Sequence, residues 1–516
     1  MLGEKISFKD EAPAIYAACF VSLLAFLQGM DSTEIAGFTA MVGFLKDFGY
    51  YDETTQAWNI NTNIQLLITC MVSVGAALGS VIAGPFGTRF GQKLGLMLCA
   101  LTSMTGSAIQ TGATTLGGLV VGRIFVGMGI GMATNYILVY QAEVAPRQLR
   151  GVLLGTFSIT YTLGGLIGTI INNATQGIDS RWCYRIPLLT QLVCPALFLS
   201  CAWMLPESPR FLVSRGRIDD AIHAHRRLHG ISAEADELRV VEMQEIVALV
   251  EIQRASQKNK SYLDCFRGVD RRRTLIAIGL MTCQNFMGRD FIGSYSTYFF
   301  TVAGITDAFK VSVYGNLASL MGAIVAAPLC RYVGRRMLLL PCMAGCFVCL
   351  LIFASVGTAM PDTLVAGKVL VAFIIIYYFL FTIALVVVAS TMVSESASTN
   401  LRFQAQSVAV FFAWGEAVMW TAVLPYLINP SAANLGVKVG FIYGGFGVLC
   451  FIFAFFCVPE YHNRSLEELD EMFLKHVPAR KFSSFVCTGE INGRTVSEEG
   501  AVVKEALVEH DEKAVV

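Results

Sequence analysis

The chain has 516 residues, of which 55% are hydrophobic and 15% are charged, and its 38 basic side chains balance 38 acidic ones. Soluble domains carry about 25% charged residues, so this composition excludes a water-soluble globular protein and a disordered chain. The balanced charge and the lack of a basic domain also argue against a protein that binds nucleic acid.

About twelve apolar runs of ~20 residues, the length at which a helix crosses a bilayer, follow one another along the chain. Numbered as spans 1 to 12 in chain order, they cover residues 13–37, 63–84, 95–113, 117–139, 152–172, 185–204, 273–300, 311–329, 337–358, 366–393, 404–428 and 437–458. The polar N-terminus contains no small-residue cleavage site, so span 1 is predicted to be a retained membrane helix rather than a signal peptide. The pattern predicts an all-α membrane protein.

The spans fall into two groups of six, separated by a long charged stretch. The predicted units are a cytoplasmic N-terminus (1–12), a six-helix bundle (13–204), a linker with short helices (205–272), a second six-helix bundle (273–458) and a tail (459–516) that is disordered toward its end. Basic residues follow the even-numbered spans and basic loops face the cytoplasm, so both termini and the linker are expected there. The glycosylation sequon at Asn173 then lies on the outer side, and we expect it to lie too close to the bilayer for use.

Three of the 15 cysteines, Cys342, Cys346 and Cys349, share one face of span 9. A metal site would need histidine or carboxylate partners nearby, and the sequence places none there. These cysteines are therefore expected to pack as small apolar side chains. The sequence shows no disulfide pattern, metal-ligand set or cofactor motif, so neither a metal nor a cofactor is expected.

Three pairs of features recur at nearly one spacing along the chain. Glu143 and Glu395 each precede an arginine by seven residues (150 − 143 and 402 − 395), and they are themselves 395 − 143 = 252 apart. The other pairs are Pro206-Glu207 with Pro459-Glu460 (459 − 206 = 253) and Gly91 with Gly334 (334 − 91 = 243). Such matches predict a duplicated six-helix unit, and an even number of spans gives both copies the same orientation. Two parallel six-helix repeats describe the major facilitator fold.

Four segments carry a family resemblance. They are GRIFVGMGIGMATNYILVYQAEVAP in span 4, PESPRFLVSRGR after span 6, QNFMGRDFIGSYSTYFF in span 7 and VPEYHNRSLEELDEMF after span 12. From about residue 20 to residue 482 the chain resembles the sugar porter family of the major facilitator superfamily, and it is most similar to the fungal α-glucoside and hexose proton symporters. The resemblance implies proton-coupled symport of a mono- or disaccharide by alternating access.

The chain departs from the family pattern in three places. The acidic residue of the cytoplasmic loop motif is replaced by Thr88 and by Arg331, and the Gly-Pro pair of span 10 by Val386-Val387. In span 7, Asp290 stands where the family has asparagine, and it follows Arg289. These departures bear on the substrate more than on the fold.

A carboxylate inside a membrane helix is costly unless it is protonated or paired. At ~1.5 Å per residue, Asp31 lies ~28 Å along span 1 and Arg123 lies ~10 Å into span 4 from outside, so both are expected at a similar depth in the outer half. In the family this aspartate and this arginine mark proton-coupled members, which implies a proton-coupling pair. The alternative is a purely structural ion pair. Glu34, one helical turn from Asp31, is another candidate proton carrier.

Span 7 is predicted to bind the substrate. On a continuous helix, Gln284, Gly288 and Tyr295 form one stripe, and Gln284 lies ~16 Å into the span, near the bilayer midplane. Amide and phenol groups bind sugar hydroxyls, and the resemblance adds Asn285 and Asp290 to this predicted substrate-binding set. The alternative is that these groups form polar contacts between helices.

Glu416 lies near the middle of span 11, at a depth where a carboxylate needs a partner. It is expected either to face the cavity and alter specificity or to pair with Arg289.

Charged residues at matching places in the two halves predict a gate at the cytoplasmic side. They are Glu143, Arg150, Arg335, Arg336, Glu395 and Arg402. In the family such charges pair across the halves and hold the outward-facing state, and alternating access needs contacts on one side that can break. Unrelated solvated loop charges would not explain the repeated spacing of seven residues.

The leading interpretation is a proton-coupled sugar importer of the plasma membrane. Its expected partners are a small-molecule substrate, protons and the lipid bilayer, and it is expected to be a monomer. A transporter of a non-sugar metabolite is one alternative, because one fold hosts many substrates and Arg289-Asp290 is unusual in a sugar cavity. A non-transporting nutrient sensor is another. An enzyme is disfavoured, because the sequence holds no HExxH, nucleophile or phosphate-loop motif.

Overall fold

The computed structural model describes residues 8–38, 41–52, 57–145, 149–229, 247, 262–293, 308–360, 364–398, 401–428, 433, 435–462, 464, 466–485, 487, 490–491 and 494–495. Within these residues, 11 helices are long and apolar enough to cross a membrane by length and composition. They correspond to the predicted spans other than span 7. The protein is an all-α membrane protein, as predicted.

The first half of the chain contains spans 1 to 6. Their helices are Phe8–Val21 with Leu23–Phe38 (span 1), Thr62–Phe90 (span 2), Gln92–Gly112 (span 3), Leu116–Val144 (span 4), Arg150–Thr175 (span 5) and Trp182–Thr190 with Val193–Cys201 (span 6). A short helix Val42–Phe48 and an antiparallel strand pair, Tyr50–Asp52 with Ala57–Asn59, connect spans 1 and 2. Span 6 is interrupted at Gln191 because Pro195 has no N–H to donate to the carbonyl four residues earlier.

The second half contains spans 7 to 12. Their helices are Gly268–Phe286 (span 7), Ala308–Tyr332 (span 8), Arg335–Ala359 (span 9), Leu364–Phe381 with Ser390–Ser396 (span 10), Arg402–Ile428 (span 11) and Val439–Cys457 (span 12). The two helical pieces of span 10 are joined by a π-helix, Thr382–Ala389. Short helices outside the spans are Pro209–Ser214, Ile218–His229, Tyr262–Phe266, Gly436–Lys438, Leu466–Leu474 and Ala479–Lys481, and Glu490–Ile491 pairs with Arg494–Thr495.

Span 7 is not the continuous helix that was predicted for residues 273–300. Its helix ends at Phe286, and Gly288 follows with a φ of 90°, a conformation that a right-handed helix cannot contain. The helix that was predicted to carry Gln284 and Gly288 on one stripe is therefore interrupted at Gly288. Tyr295 itself lies outside the described residues.

Spans 2 and 4 pack closely because glycines face each other along both helices. A Cβ atom at Gly127 would lie 2.1 Å from the carbonyl oxygen of Val72, and one at Gly79 would lie 2.2 Å from that of Met128. Only glycine permits this backbone approach, which is a common device of membrane helix packing.

The two groups of six helices meet along two helix pairs, span 2 with span 11 and span 5 with span 8. Polar contacts cross the same boundary. The Ser158 hydroxyl of span 5 donates to the Val386 carbonyl at 2.9 Å, and the Asn316 amide of span 8 donates to the Thr169 hydroxyl of span 5 at 3.1 Å. The candidate substrate-binding residue Gln284 lies close to this boundary, because it bonds to the carbonyl that precedes that of Val386.

Candidate functional site

The predicted proton-coupling residues of spans 1 and 4 form a buried ion pair. Arg123 Nη1 donates to Asp31 Oδ1 at 2.7 Å, and each side chain is 3% exposed. The Arg123 Nε atom donates to the Ile68 carbonyl of span 2. The depth match that was inferred from helix rise alone is therefore present in the structure.

A polar side chain of span 6 joins this pair to a second carboxyl. Gln191 Nε2 lies 2.7 Å from Glu34 Oε2 and 3.4 Å from Asp31 Oδ1. The Ser107 hydroxyl of span 3 donates to Gln191 Oε1 at 3.3 Å, which directs the amide nitrogen toward the carboxyls. Side chains of spans 1, 3, 4 and 6 thus converge on a cluster that is shielded from solvent.

Two residues of span 7 are held by span 11. The Asn285 amide donates to the Ala413 carbonyl at 2.8 Å and lies 3.3 Å from Glu416 Oε2, and the Thr282 hydroxyl donates to Glu416 Oε1 at 2.6 Å. The predicted substrate residue Asn285 is 4% exposed, so in this conformation its amide is used between helices. The hypothesis that Glu416 pairs with Arg289 is wrong, because its carboxyl contacts Thr282 and Asn285 instead.

The π-helix of span 10 receives side chains from both halves. Gln284 Nε2 of span 7 donates to the Leu385 carbonyl at 2.8 Å, and the next carbonyl, that of Val386, accepts from Ser158 of span 5. A π-turn widens the helix and changes the direction of its carbonyls, which is why such turns are frequent at functional sites. Gln284 thus lies beside the boundary between the halves and is half-buried.

Arg289 and Asp290 follow the bend at Gly288. Arg289 Nη2 donates to the Tyr161 hydroxyl of span 5, and its guanidinium lies 5.6 Å from the centre of that ring. Both side chains are half-buried, and Asp290 Oδ2 has no hydrogen-bond partner among the described residues. The bend therefore places a cation and a carboxylate where the two halves meet.

The predicted gate contains one ion pair that joins the halves. Arg402 Nη1 of span 11 lies 3.8 Å from Glu143 Oε1 of span 4, and these side chains are 3% and 10% exposed. Gln92 Nε2 and the Ser208 hydroxyl each donate to Glu143 Oε2 at 2.5 Å. A contact between spans 4 and 11 therefore joins the two halves at the end of the bundle that carries Glu143.

The second half repeats this arrangement with a different side chain. Arg335 Nη2 donates to Glu395 Oε1 at 2.9 Å, as Gln92 does to Glu143, and the two donors are 335 − 92 = 243 residues apart. Gly91 and Gly334, the residues directly before these two donors, have the same spacing. Their φ angles are 93° and 94°. The pair Arg335–Glu395 therefore lies within one half and does not cross between halves.

Two glutamates cap the helices that follow these glycines. Glu207 accepts from the backbone N–H groups of Gln92 and Lys93, and Glu460 accepts from those of Arg335 and Arg336, at 2.9 to 3.2 Å. A carboxylate at a helix N-terminus satisfies free N–H groups and the helix dipole. Burial raises the pKa of Glu207, and the backbone N–H donors oppose that shift.

Arg336 and Arg150 are the two remaining residues of the predicted gate. The Arg336 guanidinium donates to the Phe455 carbonyl of span 12 at 2.6 Å. This contact lies within the second half. The side chain of Arg150 lies outside the described residues.

Sequence reasoning missed several polar partners. Gln191, Gln92 and the capping role of Glu207 and Glu460 were not predicted. A signal was present for the two glutamates, because the repeated Pro-Glu pair was recognised but not assigned to a helix end. Gln191 had a weaker signal, as a polar residue at the break in an apolar span.

Among the described residues, no group of three or more His, Cys, Asp or Glu side chains could hold a metal ion. Cys346 and Cys349 are buried and Cys342 is partly buried. Cys346 and Cys349 form part of the apolar core of the second half, and Cys342 packs against it.

Comparison with known proteins identifies the family. A family model described as Sugar (and other) transporter matches residues 17–473. The chain belongs to the Sugar (and other) transporter family. It is similar to a probable glucose transporter of Neurospora crassa (31% identical over 90% of this chain and 80% of that protein) and to a major facilitator-type transporter of Aspergillus rugulosus (29% identical over 91% and 88%).

A solved structure shares the fold. The major facilitator superfamily proton:xylose symporter XylE, bound to 6-bromo-6-deoxy-D-glucose, superposes with a TM-score of 0.76 at 22% identity, over 90% of this chain and 100% of that one. The predicted major facilitator fold is confirmed.

Proposed function

We propose that the protein is a proton-coupled sugar transporter that works by alternating access, and that it is not an enzyme. The single observation that carries the coupling is the buried pair of Asp31 and Arg123, at 2.7 Å. A buried ion pair is weak evidence for stability, because burial of both charges costs about as much as their attraction returns. Ionisable residues within a membrane bundle more often belong to a proton or substrate pathway.

The similarity to a glucose transporter supports a sugar as substrate. Gln284, Asn285, Asp290 and Tyr295 remain the proposed substrate-binding residues, with Gln284 at the boundary between the halves. Because the Asn285 amide nitrogen is bonded to span 11 in this conformation, that nitrogen would bind substrate only after spans 7 and 11 separate. A rearrangement of span 7 at the bend of Gly288 would provide that separation.

The proposed gate lies at the cytoplasmic side and comprises Glu143, Arg150, Arg335, Arg336, Glu395 and Arg402. The pair Glu143–Arg402 joins the halves directly, and the pair Arg335–Glu395 orients one side of the gate. We further propose two bundles, 13–204 and 273–458, joined by a cytoplasmic linker 205–272. Residues 1–12 and 459–516 would form the cytoplasmic termini of a monomer in the lipid bilayer of the plasma membrane.

A second candidate function is transport of a non-sugar metabolite, and the charges of span 7 favour it. Arg289 lies at the boundary between the halves and is held by Tyr161, while a neutral sugar offers no group that needs a guanidinium. A substrate with a carboxylate would engage Arg289 through a charge-assisted hydrogen bond. Competition by neutral sugars and by sugar acids in one uptake assay distinguishes these two substrates.

The experiment that tests the proposal is uptake of labelled mono- and disaccharides into vesicles that contain the purified protein, with and without a proton gradient. We expect accumulation with the gradient and only equilibration without it. Equilibration under both conditions would contradict symport, and no flux of any substrate would favour a sensor.

Asp31→Asn is expected to abolish accumulation driven by the gradient and to retain exchange of substrate. The amide keeps the shape of the side chain but removes the negative charge opposite Arg123. Normal accumulation against a gradient in this variant would contradict a role of Asp31 in coupling.

A further inference from the structure

The cluster of spans 1, 4 and 6 contains two carboxyls and one cation. Asp31 and Glu34 lie one turn apart on the same helix, and Glu34 is 0% exposed. The charged groups that face Glu34 are Asp31, from its own helix, and Arg123, from span 4. Span 6 contributes the neutral side chains of Gln191 and Thr190, and span 5 contributes the amide of Asn172, which donates to the backbone carbonyl of Glu34 at 3.0 Å. With both carboxyls ionised, the cluster would hold a net negative charge.

An uncompensated charge in a membrane interior is expensive, and one proton removes it. The geometry distinguishes the two carboxyls. Arg123 donates directly to Asp31, whereas Glu34 forms no ion pair with any described residue. Glu34 Oε2 accepts one neutral amide hydrogen bond from Gln191, and Glu34 Oε1 has no partner among the described residues.

A carboxylate whose neighbouring donors, Gln191 and Thr190, are both neutral is poorly stabilised when buried, and a neutral carboxylic acid in the same place is far less costly. We propose that Glu34 takes up and releases the coupled proton, and that Asp31 stays ionised as the fixed partner of Arg123. This inference rests on the proposed proton coupling and names the group that carries it.

The proton transfer requires only groups of the cluster and water. A proton from water on the outer side binds Glu34 Oε1, and the neutral acid leaves the pair Asp31–Arg123 undisturbed. When the cluster opens toward the other side, the proton passes to water there, and water solvates the carboxylate that remains. Gln191 bonds to both carboxyls, so a change in the protonation of one carboxyl alters the hydrogen bond that Gln191 makes to the other.

The test compares Glu34→Gln with the wild-type protein in vesicles under a gradient of one pH unit. With one proton per substrate, such a gradient supports accumulation of up to about tenfold. Glu34→Gln keeps an oxygen that accepts from Gln191 but cannot lose a proton. We expect its accumulation ratio to fall to about one while exchange of substrate between equal pools persists. Asp220→Asn, which makes the same change at an exposed pair with Arg217, is the control and should accumulate normally.

A second measurement reads the proton directly. In the infrared spectrum of the wild-type protein we expect the C=O band of a buried carboxylic acid near neutral pH, absent in Glu34→Gln and shifted in Glu34→Asp. Wild-type accumulation by Glu34→Gln, or an unchanged band in both variants, would overturn the inference. If the wild-type protein itself does not accumulate substrate but the band depends on Glu34, the symport proposal fails while the protonated Glu34 stands.

Discussion

Loss of the carboxylate that joins the halves should change which side of the transporter is open. In Glu143→Gln the amide oxygen still accepts from Gln92 and Ser208, but the charge opposite Arg402 is gone. Arg402 is 3% exposed as a side chain, so water replaces the lost partner poorly. We expect the contact between spans 4 and 11 to weaken and the population of inward-open protein to rise.

The size of this effect follows from the 3.8 Å separation of the charges. At an effective dielectric constant of about 20, two unit charges at this distance attract by about 4 kcal/mol. Desolvation offsets part of that attraction. The free energy by which the pair stabilises the outward-facing state should therefore be near that of a charged hydrogen bond, about 1.5–3 kcal/mol, and this is what Glu143→Gln loses. The equilibrium between outward-facing and inward-facing states should therefore shift by roughly 10- to 150-fold.

Cysteine accessibility measures this shift. In a background without the native thiols, a cysteine at Asn316, where spans 5 and 8 meet, is labelled from the extracellular side. Labelling should fall in Glu143→Gln and, in the same direction, in Glu395→Gln, where Arg335 loses its partner within the second half. Asp220→Asn should leave labelling unchanged. Increased labelling, or opposite changes in the two glutamate variants, would refute the symmetric gate.

Two further predictions concern binding and packing. Gln284→Ala removes a neutral hydrogen bond at the boundary between the halves and should weaken substrate binding by ~0.5–1.5 kcal/mol, up to about tenfold in half-saturation concentration; an unchanged value would make Gln284 a structural residue. Gly127→Ala places a Cβ atom 2.1 Å from the Val72 carbonyl oxygen and should destabilise the fold by about 1–3 kcal/mol, measured as a lower melting temperature in detergent. Gly117→Ala on the same helix, with no atom within 4 Å of the added Cβ, is the matched control, and an equal loss in both variants would contradict close packing as the cause.

The spans other than span 7, the repeat and the depth of Asp31 and Arg123 could be predicted from the sequence because each depends on local regularities. A run of ~20 apolar residues fits a bilayer whatever surrounds it, and helical rise converts residue number into depth. Glu143 and Glu395, with the glycines at the starts of spans 3 and 9, likewise mark equivalent positions because duplication preserves spacing.

The partners of these residues depend on how distant helices pack, and no local pattern contains that information. Glu143 contacts Arg402, which is 402 − 143 = 259 residues away. The seven-residue spacing in the sequence links Glu143 to Arg150 instead. Glu416 contacts Thr282 and Asn285 rather than Arg289, because Gly288 bends span 7 and turns Arg289 toward Tyr161 of the other half.

The same reason explains the cluster around Glu34. Its place beside Asp31 is evident from helical spacing, but the contrast between a paired and an unpaired carboxyl appears only when span 6 brings Gln191 between them. Position along a helix is a property of the sequence, whereas the burial and charge of a side chain's neighbours are decided by tertiary packing.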